Sequence, residues 1–233
     1  MEYGKTTGPT VLGLSLRDRL LIIVGAPVLG ALLGAVLPPV AGWLADRPWA
    51  PMQGPFELIA SFDGPWVAVA LAAAGLLLGL GFAALALASC LKVTLVDGEI
   101  RLDKDGMSRR IARPDVDVVF VDGKQLVILD PASRELLREQ HESSPAALAR
   151  GFQEHGYRWA GQSDPYAELY RRWVPDTPDL PPAVNAVLKA RETALKKKQG
   201  DDVAELREEV QKLGFVVRDR EDKQYWRPLV RAS

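Results

Sequence analysis

The sequence predicts a membrane α plus α+β protein: two transmembrane helices, a small antiparallel β domain, and a C-terminal helical hairpin with a short β-hairpin. Three observations carry that reading. Leu20–Leu44 and Trp66–Leu91 contain no Asp, Glu, Lys, Arg or His, and about 20 apolar residues suffice to cross a bilayer as a helix. Asp-Gly pairs recur at 97–98, 105–106 and 122–123 between short alternating segments, the pattern of tight β-hairpins. Beyond Pro182, apolar residues return every three or four positions on a charged background, as they do on amphipathic helices.

Whole-chain averages conceal this division. A net charge of -1 over 233 residues and a mean hydropathy near zero describe an ordinary soluble protein and give no polyanion-binding balance. Nearly all the charged residues, however, follow Leu91. The single cysteine, Cys90, excludes an intramolecular disulfide and fits a reducing cytoplasm. It is either a small apolar residue at a helix end or a juxtamembrane acylation site.

Arg17 and Arg19 before an apolar run resemble a signal peptide, but the run is too long and a second spanning stretch follows, so a hairpin is the better reading. Pro27 and Pro38–Pro39 are expected to bend the first helix or end it early. Gly30/Gly34 and Gly75/Gly79 place glycines four apart on each helix, which lets two backbones approach closely. That face serves either the hairpin itself or a dimer. Lys5, Arg17 and Arg19 precede the first helix, and Lys92, Arg101, Lys104, Arg109, Arg110 and Arg113 follow the second. The loop Asp46–Pro65 holds only Arg47. Basic flanks stay inside, so a multi-pass cell-membrane protein with both termini cytoplasmic is expected. Trp43, Trp49 and Trp66 mark the loop-side interface, and Pro55–Phe62 is expected to lie on it.

From Lys92 the period becomes two. Lys92–Val96, Glu99–Leu102, Val116–Val121 and Gln125–Leu129 read as strands, and Ser133–Gln140 as a further short helix or strand. Ser144-Pro145 opens a helix over Ala146–Glu154. An antiparallel sheet closed by one helix is the outline of pleckstrin-homology-like modules, which often bind lipid headgroups or proteins, although fold alone does not fix function. Arg109, Arg110 and Arg113 are candidate contacts to membrane lipids, or solvated charges beside Asp115 and Asp117.

Tyr166, Leu169, Tyr170 and Trp173 have helical spacing, and Pro175–Pro182 reads as a stiff linker. Two helices then follow, Ala183–Lys198 and Asp201–Leu213. Val184, Val187, Leu188, Arg191 and Leu195 face Val203, Leu206, Val210 and Leu213, and Gly214 closes the second. Phe215–Val217 and Tyr225–Arg227 suggest a terminal hairpin. Residues 1–19 are thus expected as a cytoplasmic tail, 20–91 as the membrane hairpin, 92–160 as the β domain, 161–182 as the linker and 183–233 as the helical domain.

Leu188, Arg191, Ala194, Ala204–Arg207, Leu213, Gly214, Asp219 and Trp226-Arg227 resemble the small C-terminal domain of bacterial cysteinyl-tRNA synthetases, which contributes to tRNA recognition. With Tyr170–Leu180, the whole arrangement resembles the YqeB family of bacterial membrane proteins, which implies an architecture and no activity. The synthetase likeness implies RNA contact through Arg191, Lys196, Lys197, Lys198 and Arg207. Glu192, Asp201, Asp202, Glu205, Glu208 and Glu209 weigh against it, since nucleic-acid affinity needs uncompensated cations.

No reaction emerges. His-x-Gly-His and Lys-Met-Ser-Lys-Ser segments are absent, which excludes aminoacylation. His141 and His155 have no metal spacing, no phosphate loop or nucleophile elbow occurs, and the apolar helices carry no ionisable residue for transport. The expectation is a non-catalytic, membrane-anchored adaptor without a cofactor, contacting membrane lipids and another protein. The alternative is a membrane-tethered tRNA-binding protein.

Overall fold

The computed structural model describes residues 8–45, 64–221 and 223–230. Lys5, Arg47, Trp49 and the Pro55–Phe62 stretch lie outside the described residues. The chain packs as two units, one comprising Gly13–Lys92 with Asp103–Ser108, the other Met1–Leu12, Val93–Leu102 and Arg109–Ser233.

In the first unit, α1 (Leu16–Ala45) has 30 residues and α2 (Pro65–Ser89) has 25, about 45 and 37 Å of helix against a hydrocarbon core of about 30 Å. Ser15 opens α1: its Oγ accepts the Asp18 N–H at 3.2 Å. Pro65 opens α2, where its missing N–H costs nothing. Of the two effects expected of its prolines, an early end does not occur: α1 continues through Pro27, Pro38 and Pro39. Each proline removes only its own i→i−4 bond, and the flanking turns keep theirs. Both helices are long and apolar enough to cross a membrane. Leu21, Leu33, Leu78 and Leu85 point outward, whereas a core helix of a soluble protein would hide such side chains. Trp43 and Trp66, at the loop-side ends, are 54% and 61% exposed.

The second unit begins before α1. Strand β1 (Thr10–Leu12), within the segment expected as a tail, pairs antiparallel with β2 (Lys92–Val96) in the register Thr10↔Leu95 and Leu12↔Val93. The helical hairpin is therefore an insertion between the first two strands of a sheet. With β3 (Glu99–Lys104) and β4 (Met107–Ala112) the sheet order is β1-β2-β3-β4. Its turns follow the Asp-Gly signals: Asp105 and Gly106 both have positive φ, 50° and 75°, as a type I′ hairpin demands. At that turn the Asp105 N–H donates to the Ala88 carbonyl in the last turn of α2 at 2.8 Å.

A second sheet, β5 (Val118–Asp122), β6 (Gln125–Leu129) and β7 (Glu135–Gln140), runs antiparallel in that order, so the Ser133–Gln140 alternative resolves as a strand. Its β5 edge is covered by Arg158–Gly161 through backbone bonds of 2.9–3.0 Å, which leaves it unable to template another strand. Helix α3 (Pro145–Glu154), capped by Ser144, buries Leu148 and Phe152. A Cβ on its Gly151 would lie 3.1 Å from Leu12, so β1 packs directly on α3.

The C-terminal part holds α4 (Pro182–Lys196), α5 (Gly200–Lys212), β8 (Arg171–Arg172), β9 (Phe215–Arg220) and β10 (Lys223–Pro228), with sheet order β8-β10-β9. Trp173, Leu180, Val184, Leu188, Val210, Val217 and Trp226 form its core. The aromatic segment Tyr166–Trp173 is not the expected helix. It makes one 3-10 turn at Ala167–Leu169 and then β8. Tyr166 packs against Val118, Phe120, Val127 and Leu129 while Trp173 enters the other core, so the stripe serves two cores. The proline-rich stretch is likewise packed: the buried Asn185 amide donates to the Thr177 and Leu180 carbonyls at 3.0 and 3.2 Å. Its Oδ1 accepts the Trp173 indole N–H at 3.0 Å.

Candidate functional site

The predicted residues fall into three places. Gly30, Gly34, Gly75 and Gly79 lie where α1 meets α2. A Cβ on Gly30 would stand 2.1 Å from the Gly75 carbonyl oxygen, one on Gly34 2.1 Å from that of Leu71, and one on Gly79 2.4 Å from that of Ala26. Backbone meets backbone, which only a residue without Cβ permits. The contact joins the two helices of one chain. An apolar groove of about 500 Å³ runs along it, lined by Leu29, Leu33, Leu71, Leu78 and Phe82 among others.

Arg109 and Arg110 stand on β4, the edge strand, whose residues are exposed except for Ile111. Met107 and Arg109 share Ile111's side of the pleat, yet Met107 is 76% exposed, so the strand runs past its core. Both arginines line a cavity of about 400 Å³ with Pro114, Asp115, Asp130 and Leu136. Asp130 is fixed there: its Oδ1 accepts the N–H groups of Ala132 and Arg134, each at 2.8 Å. Arg113, the third candidate lipid contact, stands apart from them. Its guanidinium donates to the Gly156 carbonyl and lies 4.4 Å from the Tyr157 ring centroid, so it fastens the helix-closing turn and does not belong to this cavity.

The RNA-contact candidates separate by burial. Arg191 is 0% exposed and forks onto Asp219 at 2.6 and 2.7 Å while also bonding Gln224 at 2.9 Å. Arg207 is partly buried, 3.7 Å from Asp219; burial lowers its pKa, with Glu135 opposing. Arg191 is a correction: a fully buried guanidinium held by a carboxylate and an amide is not free to meet phosphate, whereas the Arg207 side chain is 20% exposed. Lys196, Lys197 and Lys198 remain exposed, Lys196 paired with Glu192 at 3.2 Å. They end α4, where cations complement the helix dipole.

Sequence reasoning missed a polar seam that joins the β5–β7 sheet to the C-terminal part. Arg227, fully buried, donates to the Ser133 hydroxyl at 2.8 Å and the Ser133 carbonyl at 2.9 Å, which holds Ser133 at φ 59°. Gln211 accepts the Glu135 N–H at 2.6 Å. Arg138 bonds Glu135 at 2.7 Å and Asp122 at 2.9 Å; burial alone would lower its pKa, but these carboxylates push it up. Burial first, then Glu135, raises the Tyr170 phenol, whose ring carries the Arg218 guanidinium at 3.8 Å. The one available cue was an arginine amid an apolar stripe, since buried charges require partners. Among the described residues, no group of His, Cys, Asp and Glu has the arrangement of a metal site.

Two antiparallel sheets and a helix, with a spanning-length apolar helical hairpin between strands one and two, define a PH-like protein with an appended α/β module. Residues 10–160 match the family described as YqeB-like bacterial PH domain. Residues 177–227 match the cysteinyl-tRNA ligase anticodon binding domain. The chain is also 36% identical over 218 residues to the uncharacterized protein YqeB of Bacillus subtilis (strain 168), covering 94% of this chain and 91% of that one. No solved structure matches it. The chain belongs to the YqeB-like family of bacterial PH-domain proteins.

Proposed function

We propose that the chain is a membrane-anchored, non-catalytic adaptor: α1 and α2 cross the bilayer as a hairpin and hold the PH-like and C-terminal parts at the cytoplasmic surface, where they engage a protein partner. One observation carries the reading. β1 precedes α1, β2 follows α2, and the two are hydrogen-bonded neighbours. A chain that crosses a bilayer between them must cross twice, so both flanks lie on one side. The basic residues at both flanks select the cytoplasm as that side. The β7–α5 seam supports a presenting role, because residues 109–233 form part of one compact unit and not domains on a loose tether. In-cell crosslinking followed by purification of the full chain from carbonate-washed membranes tests this. A protein recovered stoichiometrically, and lost when the soluble surface is altered, is expected; recovery of the chain alone would overturn the adaptor role.

A second reading is favoured by the match of residues 177–227 to an anticodon-binding domain: tRNA contact through Lys196–Lys198. A low-salt gel shift with the full chain in neutral detergent decides it. No tRNA shift at tens of micromolar protein would end the idea, since even non-specific binders reach roughly 10⁻⁴–10⁻⁶ M.

A further inference from the structure

The cavity beside β4 holds charges of both signs that do not meet. Arg109 and Arg110 line it from the strand, Asp115 from the 3-10 turn Arg113–Asp115, and Asp130 from the loop before β7. Among the described residues, no ion pair within 4 Å joins either arginine to either aspartate. Asp130 cannot swing across, because two backbone N–H groups hold its Oδ1, which leaves Oδ2 for a ligand. An inorganic anion entering this space meets the arginine wall but faces two carboxylates. A simple amine meets the reverse. A zwitterion satisfies both walls at once.

We infer that this cavity binds a zwitterionic phosphate ester with a primary ammonium, of the phosphoethanolamine class: the phosphate on Arg109 and Arg110, the ammonium on Asp115 and Asp130. Arg109 and Arg110 leave opposite faces of the strand, and a tetrahedral phosphate, with acceptor oxygens on several sides, can be met from both, which a planar carboxylate cannot. A primary ammonium supplies the N–H donors that carboxylates accept, whereas a quaternary ammonium needs an aromatic cage, and no aromatic side chain lines the cavity. The ligand is either a membrane lipid headgroup or a free phosphoester. The lipid source rests on the proposed membrane hairpin.

Titration calorimetry of the full chain in neutral detergent provides the test, with O-phosphoethanolamine, phosphocholine, inorganic phosphate and glycine as probes. Phosphoethanolamine is expected to bind about tenfold tighter than each of the others, the worth of one charge-assisted pair. Arg109→Gln with Arg110→Gln abolishes that binding. Asp115→Asn removes most of the preference over inorganic phosphate without unfolding the protein, since the replaced side chains are exposed. Nanodiscs separate the sources: if phosphatidylethanolamine bilayers, but not phosphatidylcholine bilayers, suppress binding of the soluble probe, the ligand is the lipid. If neither does, it is the free ester. Equal or tighter binding of inorganic phosphate or glycine, or no binding tighter than about 1 mM by any probe, overturns the assignment. Membrane extraction of the chain by carbonate would sink the anchoring reading alone, because the soluble-probe comparison does not depend on it.

Discussion

Gly75→Ala is the sharpest probe of the helical hairpin. A Cβ there would sit 2.0 Å from the Gly30 oxygen and 2.7 Å from its carbon. Ordinary contact begins near 3.4 Å, so the helices must separate by about 1.4 Å at that level, and a radial gap of 0.5–1 Å already forfeits a quarter to a half of the dispersion well. The obstacle is backbone, which no rotamer change relieves, so a cost near the top of the overpacking range, about 3 kcal/mol, is expected. Gly81→Ala is the matched control on the same helix: nothing lies within 4 Å of its Cβ, and alanine gains up to about 1 kcal/mol of helix propensity. SDS-titration unfolding of detergent-solubilised protein, followed by circular dichroism, should move the two variants in opposite directions. Equal shifts would refute the close approach of α1 and α2.

Other perturbations test the soluble unit. Arg191→Ala empties a fully buried guanidinium site and leaves the Gln224 amide short of a donor, while Asp219, partly exposed, keeps Arg207 at 3.7 Å; a cost of about 1–3 kcal/mol is expected, whereas Lys198→Ala should leave the melting temperature unchanged. Asn185→Ala orphans the Trp173 indole and takes a donor from the Thr177 and Leu180 carbonyls, costing about 1–3 kcal/mol and altering the near-ultraviolet tryptophan signal. The Tyr170 hydroxyl is buried without a hydrogen-bond partner, so Tyr170→Phe should be neutral or slightly stabilising at pH 7. Its phenol titrates higher folded than unfolded. Below pH about 10 both states hold the proton and Tyr170 adds no pH dependence; above it the unfolded chain releases the proton first, so stability falls with rising pH. Urea denaturation at pH 8 and pH 10.5 should show a smaller alkaline loss in Tyr170→Phe than in the parent.

Local signals were legible and non-local ones were not. The Asp-Gly hairpins read correctly because φ > 0 at Asp105, Gly106, Gly98 and Gly123 is a demand that those residue types announce. β1 was invisible: three residues show no period, and their partner lies some 80 positions on, across the hairpin. The Tyr166–Trp173 spacing misled because periodicity assumes one buried face, while these aromatics fill two cores. Arg191 and Arg207 read as surface cations since composition alone cannot say that the fold brings Asp219, on β9, against both. For the candidate site, Arg109, Arg110 and Asp115 were visible as charges. Asp130, 20 residues downstream, joins them only through the fold.

Sidedness is the most direct test of an inserted hairpin. Single cysteines introduced as Lys5→Cys, Met52→Cys and Ser143→Cys in a Cys90→Ser background can be challenged with a membrane-impermeant thiol reagent, on intact cells and on inverted vesicles. The positions before β1 and after β7 should react only in inverted vesicles, and the loop position only in intact cells. Opposite sidedness for Lys5→Cys and Ser143→Cys would contradict the β1–β2 closure across the membrane.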